Sequence, residues 1–338
     1  MTFKKKDNQE KKQLTRRQFI KSTAAGAAIF YAAPTLALST EENSRVVQVK
    51  HDNLINPEGI VNKKNAKELV DKALLMLTRK RDIKDAWMIV FPDLKEKDTI
   101  GLKVNCINKK CPTHPEVAYA IAQSLVDSTG LNPNNIIIWD RTESELKQAG
   151  YVINNSDKEI RCIGTVKKYS IFRHYLNQKM DETDGIGYDM NRPIDVGKGK
   201  TSYLSKILTQ MCTYLINVPV LKDHILAGVT LSLKNHFGTI DNPSDCHDGN
   251  CDPYIAKINA APQIKDKTKL VICDAALGMY EGGPRGAPQW QEKALIVSTD
   301  PVALDYTCMQ IINAKREENS MNSVSDMAAH IWTAQRLG

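Results

Sequence analysis

The sequence predicts an α/β fold, a mostly parallel sheet with flanking helices in Rossmann-like layering. Three observations lead there. Five short apolar runs, Thr99–Val104, Ile136–Trp139, Leu215–Val218, Leu270–Cys273 and Leu295–Ser298, have the length and near-continuous hydrophobicity of strands buried on both faces. Between them, longer stretches repeat apolar residues at the helical period. The order strand, helix, strand from residue 99 to residue 139 then requires parallel pairing through a right-handed crossover.

Val46–Val49 reads as a first strand, and Asn65–Leu77 as an amphipathic helix with Ala66, Leu69, Val70, Ala73 and Leu77 on one face. The strand Thr99–Val104 runs into Asn105 and Cys106, and the period of two puts Lys103 and Asn105 on one side. Asn105 reads equally well as a turn residue. Thr113-x-x-Glu116 has the form of a capping box, with Pro115 in the first turn of a helix whose inner face is Val117, Ala120, Ile121, Ser124 and Leu125. A strand over Asn135–Trp139 delivers Asp140 and Arg141 to its carboxyl end. From Tyr151 to Gly199 the pattern weakens into Asn, Asp, Lys and Gly, and residues 151–199 read as an excursion from the sheet, a lid or subdomain.

The sheet resumes at Tyr214–Pro219. Pro219 ends ladder pairing, so Lys222, Asp223 and His224 are expected just past a strand's carboxyl end, the edge where open parallel sheets bind ligands. Leu226–Phe237 reads as a buried helix or strand that brings Lys234, Asn235 and His236 to a turn at Gly238. Lys269–Cys273 delivers Asp274 to another strand end. Gly278–Gly286 is a glycine-rich turn carrying Glu281, without the spacing of a phosphate-binding fingerprint. After the strand Ala294–Ser298, Asp300 and Pro301 are the residue types that cap and open a helix.

Of 46 Lys+Arg and 39 Asp+Glu in the 338 residues, 8 and 2 fall within residues 1–37, leaving 38 basic against 37 acidic side chains. The basic excess belongs to the N-terminus, and the remainder has no nucleic-acid footprint. Arg16-Arg17 within TRRQFIK, followed by a mild, alanine-rich apolar stretch, reads as a twin-arginine export signal over residues 1–37, cut after Ala37. The expectation is a protein handed to the twin-arginine translocase, periplasmic or otherwise exported, with one domain over residues 38–338. No stable membrane insertion is expected after cleavage, and an uncleaved anchor is the alternative.

Reactive side chains crowd into residues 215–251, which hold three of the seven histidines, His224, His236 and His247, besides Lys222, Lys234, Asn235 and the pair Cys246/Cys251. Lys103, Lys222 and Lys234 with Asn105 and Asn235 suit a cationic pocket for a carboxylate or phosphate, with Asp274 and Glu281 in acid–base roles. Glu281 and Asp300 also count with the asparagines as substrate-binding candidates, Asp300 having a capping job besides. The bland alternative for each lysine is a stem that snorkels to water. His224, His236, His247 and Cys251, with Cys106 as a fifth member, offer imidazole and thiolate donors suited to zinc, iron or copper, each histidine having a structural alternative. Cys106/Cys111 and Cys246/Cys251 share one spacing and read as two local disulfides or as ligands. Cys162, Cys212, Cys273 and Cys308 sit mostly in apolar runs and read as core. Neither G-x-S-x-G nor H-E-x-x-H is present, which leaves the common hydrolase readings without support.

The phrases NVPVLKDH, TLSLKNHFG, NCDPYIAKINA, VICDA and STDPVALD resemble the family called "domain of unknown function 362", in its exported branch, from about Val46 to the C-terminus. The resemblance implies an association with iron–sulfur proteins, although the chain has no ferredoxin-type run of cysteines. The expectation is an exported, metal- or iron–sulfur-associated redox protein, an oxidoreductase if it is an enzyme, with a metal ion or iron–sulfur cluster as cofactor and a redox partner or small-molecule ligand. A metal-independent enzyme acting on a small anion through the Lys/Asn pocket is one alternative. A periplasmic binding protein without catalysis is the other.

Overall fold

The computed structural model describes residues 44–168 and 185–338. The expected export signal, residues 1–37, and residues 169–184 of the central excursion lie outside the described residues. The chain opens with β1 (Val46–Lys50), α1 (Lys63–Thr78) and α2 (Ile83–Val90), followed by β2 (Ile100–Lys103), α3 (Pro115–Thr129), β3 (Ile136–Thr142), α4 (Glu143–Gln148) and β4 (Arg161–Val166). A hairpin of β5 (Tyr188–Gly197) and β6 (Lys200–Ser205) precedes β7 (Tyr214–Asn217), β8 (Val220–His224) and β9 (Gly228–Val229). Then come α5 (Ser232–Asn235), α6 (Tyr254–Ala260), α7 (Pro262–Lys265), β10 (Thr268–Met279), β11 (Ala294–Ser298), α8 (Pro301–Glu318) and α9 (Ala329–Leu337).

The main sheet has the order β1-β11-β10-β7-β2-β3-β4, with β8 paired to β10 and β9 to β8. The run from β10 to β4 is parallel. β11 runs antiparallel to its neighbours β10 and β1, and β9 to β8. All five strands expected from the apolar runs form, in a mostly parallel sheet with helices against it. One face of the sheet, including Leu102, Ile138, Ile216, Ile272 and Val297, packs with α1, α2 and α3 through Leu69, Trp87 and Ile121 into one apolar cluster. Each such aliphatic side chain contributes about 1.5–3 kcal/mol by leaving water. Among the described residues no helix is long and apolar enough to cross a membrane.

Four local expectations are corrected. Pro219 does not end the pairing: its carbonyl accepts the Asp274 N–H at 2.8 Å, and the chain re-enters the sheet as β8, so Lys222, Asp223 and His224 stand within a strand. β10 runs past Asp274 to Met279, which places Asp274 inside its strand. Residues 151–199 do not all leave the sheet, because β4 pairs with β3 as the edge strand. The capping box at Thr113 does not form, since α3 starts at Pro115 with His114 as its N-cap. Thr113 instead accepts the Asn105 N–H at 2.9 Å and donates to Val218 O at 2.7 Å, tying the ends of β2 and β7 together.

Candidate functional site

The carboxyl ends of β2, β3, β7 and β8 meet in a buried polar network. Register puts Lys103 opposite Asn217. Lys103 Nζ donates to Asp140 Oδ1 at 2.6 Å, to Val104 O at 2.7 Å and to Asn235 Oδ1 at 3.4 Å. Asp140 is further held by the Cys106 N–H at 2.6 Å and the Arg141 N–H at 2.7 Å. Asn235 accepts from Asn105 Nδ2 at 3.0 Å and donates to Asn217 Oδ1 at 2.7 Å and Lys103 O at 3.2 Å. Lys222 Nζ donates to Asn105 Oδ1 at 2.7 Å and Cys111 O at 3.3 Å, and burial lowers its pKa. Lys103, Lys222, Asn105 and Asn235 are thus brought together, but they spend their hydrogen-bonding capacity on one another and on strand-end carbonyls. Their arrangement is that of a rigid scaffold.

Lys234 is different. Asp305 fixes the start of its short helix α5 by accepting the Ser232 N–H at 2.7 Å and the Leu233 N–H at 2.9 Å, while Asn259 Nδ2 donates to Leu233 O at 2.7 Å. Lys234 is only 6% exposed, and its ammonium lies 3.8 Å from the centre of the Phe237 ring. Among the described residues it has no hydrogen-bond or carboxylate partner, the contact with Phe237 being a cation–π one. Burial, opposed by the nearby Cys251 and Cys246 and reinforced by Lys222, brings its pKa down to about 8.

Imidazoles surround this amine. Phe237 meets His247 edge to face at 5.2 Å, and His247 stands 6.1 Å from His224 between ring centres. His224 Nδ1 accepts the Leu226 and Ala227 N–H groups, both at 3.1 Å, which places its proton on Nε2. His247 pairs Nδ1 with Pro243 O at 2.8 Å, so Nδ1 carries the proton and Nε2 keeps a lone pair. His330, from α9, is fully buried with neither ring nitrogen hydrogen-bonded. Burial first and the Lys234 charge second push His224 down to about 2 and His330 to about 3, so both are neutral in the fold.

The remaining candidates border this arrangement. Asp274 Oδ2 accepts the His114 N–H at 2.8 Å and lies 2.8 Å from His114 Nδ1. Burial opposes charge on His114, but Asp274 outweighs it and raises the imidazole's pKa. Asp223 accepts the Gly283 N–H at 2.9 Å, and burial lifts its carboxyl to about 6. The glycine turn approaches so closely that a Cβ on Gly283 would collide with the Asp223 carbonyl. Glu281 is exposed on that turn. Asp300 caps α8, accepting the Val302 and Ala303 N–H groups at 2.9 and 3.0 Å.

Of the expected metal ligands, only His224 and His247 are seen to approach each other. Among the described residues no three of His, Cys, Asp and Glu stand together as a metal centre would require. His236 lies 3.3 Å through Nε2 from Asn217 Nδ2 and 3.1 Å through Nδ1 from Thr239 Oγ1, so both its nitrogens are engaged. The proton on His224 Nε2 removes the lone pair that a ligand needs. Cys106 is buried beside Asp140 and Lys103, whereas Cys251 neighbours Lys234, so the two cysteine pairs do not pool. All eight thiols are free and buried, and neither local disulfide is formed. The donor set as it stands does not fit a metal ion or iron–sulfur cluster.

Sequence reasoning left out Asp140 as a site residue, the His114–Asp274 pair and His330. Asp140 had a signal, an acid at a strand's carboxyl end. His330 had none.

Comparisons with known proteins come last. Residues 100–310 match the family described as Domain of unknown function (DUF362). No curated protein matches. Among solved structures, a structural-genomics protein from Thermotoga maritima is similar at 12% identity and a TM-score of 0.30, over 70% of this chain and 58% of that one. The aligned part is thus less than two thirds of that protein, and a likeness this slight carries no argument.

Proposed function

Because the chain belongs to the DUF362 family, whose description assigns no reaction, we propose from the site alone that it binds a small organic anion at the carboxyl edge of its sheet, held by Lys234. The observation that carries this reading is a lysine only 6% exposed whose ammonium has no anionic partner among the described residues. Burying an isolated charge costs several kcal/mol, and proteins ordinarily supply a counter-charge or neutralise the group. With its pKa at about 8, Lys234 is still about nine-tenths protonated at pH 7. An arriving carboxylate or phosphate supplies the missing charge, His224 Nε2–H offers a second donor and His247 Nε2 an acceptor for a ligand hydroxyl. His247 is partly exposed and gives the route from solvent. The twin-arginine sequence supports an exported setting for this activity.

A metal- or iron–sulfur-associated redox role, which the family resemblance implies, lacks a donor group among the described residues. The two readings part in one experiment. Acetate, glycolate, oxalate and inorganic phosphate are titrated into the full chain by calorimetry at low salt, before and after dialysis against EDTA. At least one is expected to bind, equally well after EDTA, and to lose binding in Lys234→Met. A silent panel, or binding unchanged in Lys234→Met, overturns the anion reading.

A further inference from the structure

We propose that Lys234 attacks the carbonyl carbon of an oxo acid to form an imine. This deepens the anion-site reading and rests on it. The amine has the setting of an imine-forming lysine: it is desolvated, seated on the Phe237 ring at 3.8 Å, free of a carboxylate that would lock it as an ammonium, and in the field of a second buried cation, Lys222. Its backbone is held by the Asp305 and Asn259 bonds on Ser232 and Leu233 and by Asn235 in the strand-end network, so the nucleophile is positioned before any ligand arrives. The other groups around the amine, Lys222, His224, His247, Cys246 and Cys251, include no carboxylate.

The step balances without a redox partner. The Nζ lone pair forms the C–N bond as the carbonyl π bond opens onto oxygen. One N–H proton passes to that oxygen, giving a carbinolamine. The C–O bond then breaks, the remaining N–H proton leaves with the oxygen as water, and a neutral C=N imine joins Lys234 to the ligand.

The test uses the full chain, pyruvate as probe and sodium cyanoborohydride, which delivers hydride to an imine carbon and leaves a stable secondary amine for peptide mapping. With a pKa of about 8 against the ordinary lysine value of about 10.4, Lys234 holds roughly two hundredfold more free amine at pH 7 than an ordinary lysine side chain. Its labelling is expected to exceed that of the exposed lysines by about that factor. Lys234→Arg keeps a cation but cannot form an imine, so pyruvate binding by calorimetry should persist while labelling is lost. Labelling confined to exposed lysines, with Lys234-dependent binding intact, overturns the imine and leaves the anion site standing. Absence of both binding and labelling in the wild-type chain overturns both.

Discussion

Replacing Lys234 by methionine is expected to make the unliganded chain more stable, which is the opposite of what removing a buried lysine normally does. The magnitude follows from the displaced pKa. The shift from 10.5 to about 8 corresponds to about 3 kcal/mol at 1.36 kcal/mol per unit. Because the folded pKa lies below the unfolded one, this destabilisation is present in full below about pH 8, where both states are protonated. It disappears as pH rises from 8 to 10.5, where only the unfolded chain still holds the proton. Wild type should therefore gain about 3 kcal/mol over that window relative to Lys234→Met, and the variant should lead by a similar amount at pH 7. Methionine fills a similar volume without a charge, and swaps of buried ionic groups for apolar ones are commonly stabilising by 1–4 kcal/mol. For a domain of this size the gain amounts to roughly 5–10 °C in Tm. Thermal unfolding of both proteins from pH 7 to 10.5 measures it. The background from Lys222 is common to the two and cancels. A variant less stable than wild type at pH 7, or a difference that does not change between pH 8 and 10.5, would refute the reasoning.

Asp140→Asn should do the reverse, costing about 3–5 kcal/mol because it strands the Lys103 ammonium in a site where both side chains are nearly inaccessible; urea unfolding gives the number, and a loss below about 1 kcal/mol contradicts the network's role. His224, His236 and His330 are neutral in the fold, at about 2, 3 and 3. Their contribution is fully present above the unfolded value near 6.5 and is lost as pH falls from there towards 3, by up to about 1.4 kcal/mol per pH unit for each. His330→Gln should remove about a third of that acid slope in a stability–pH series. Replacing Arg16 and Arg17 together by lysine should hold the precursor in the cytoplasm on fractionation, and normal export of that variant contradicts the signal assignment.

The sheet was readable where strands are buried on both faces, because sequences such as Ile136-Ile-Ile-Trp139 leave few other solutions. β4 was hidden by its own composition. Gly164 interrupts the apolar run, yet it is required there, since a Cβ would collide with the end of β3 at Thr142 and Glu143. β8 was hidden by Pro219, which lacks an N–H but still offers its carbonyl to Asp274. At the site, the crowding of lysines and histidines was visible, but their division into scaffold and reactive group was not. Lys103 is satisfied by an aspartate 37 residues away, while Lys234 meets no acid at all, and nothing in the flanking residues of either tells them apart. His330 arrives from the last helix with no motif around it. The four expected metal ligands illustrate the same gap, because a histidine's availability depends on what its second nitrogen bonds, and tertiary contacts decide that.

The most direct test of the central claim is the protonation of Lys234 itself. NMR titration of lysine side chains selectively labelled with carbon-13 at Cε, assigned through Lys234→Arg, follows its midpoint with and without a bound carboxylate. The account expects a midpoint near 8 in the free chain, moving upward when the anion from the calorimetric panel is added, because an opposite charge favours the ammonium. A midpoint near the ordinary value of about 10.4, unmoved by every anion tried, would contradict it.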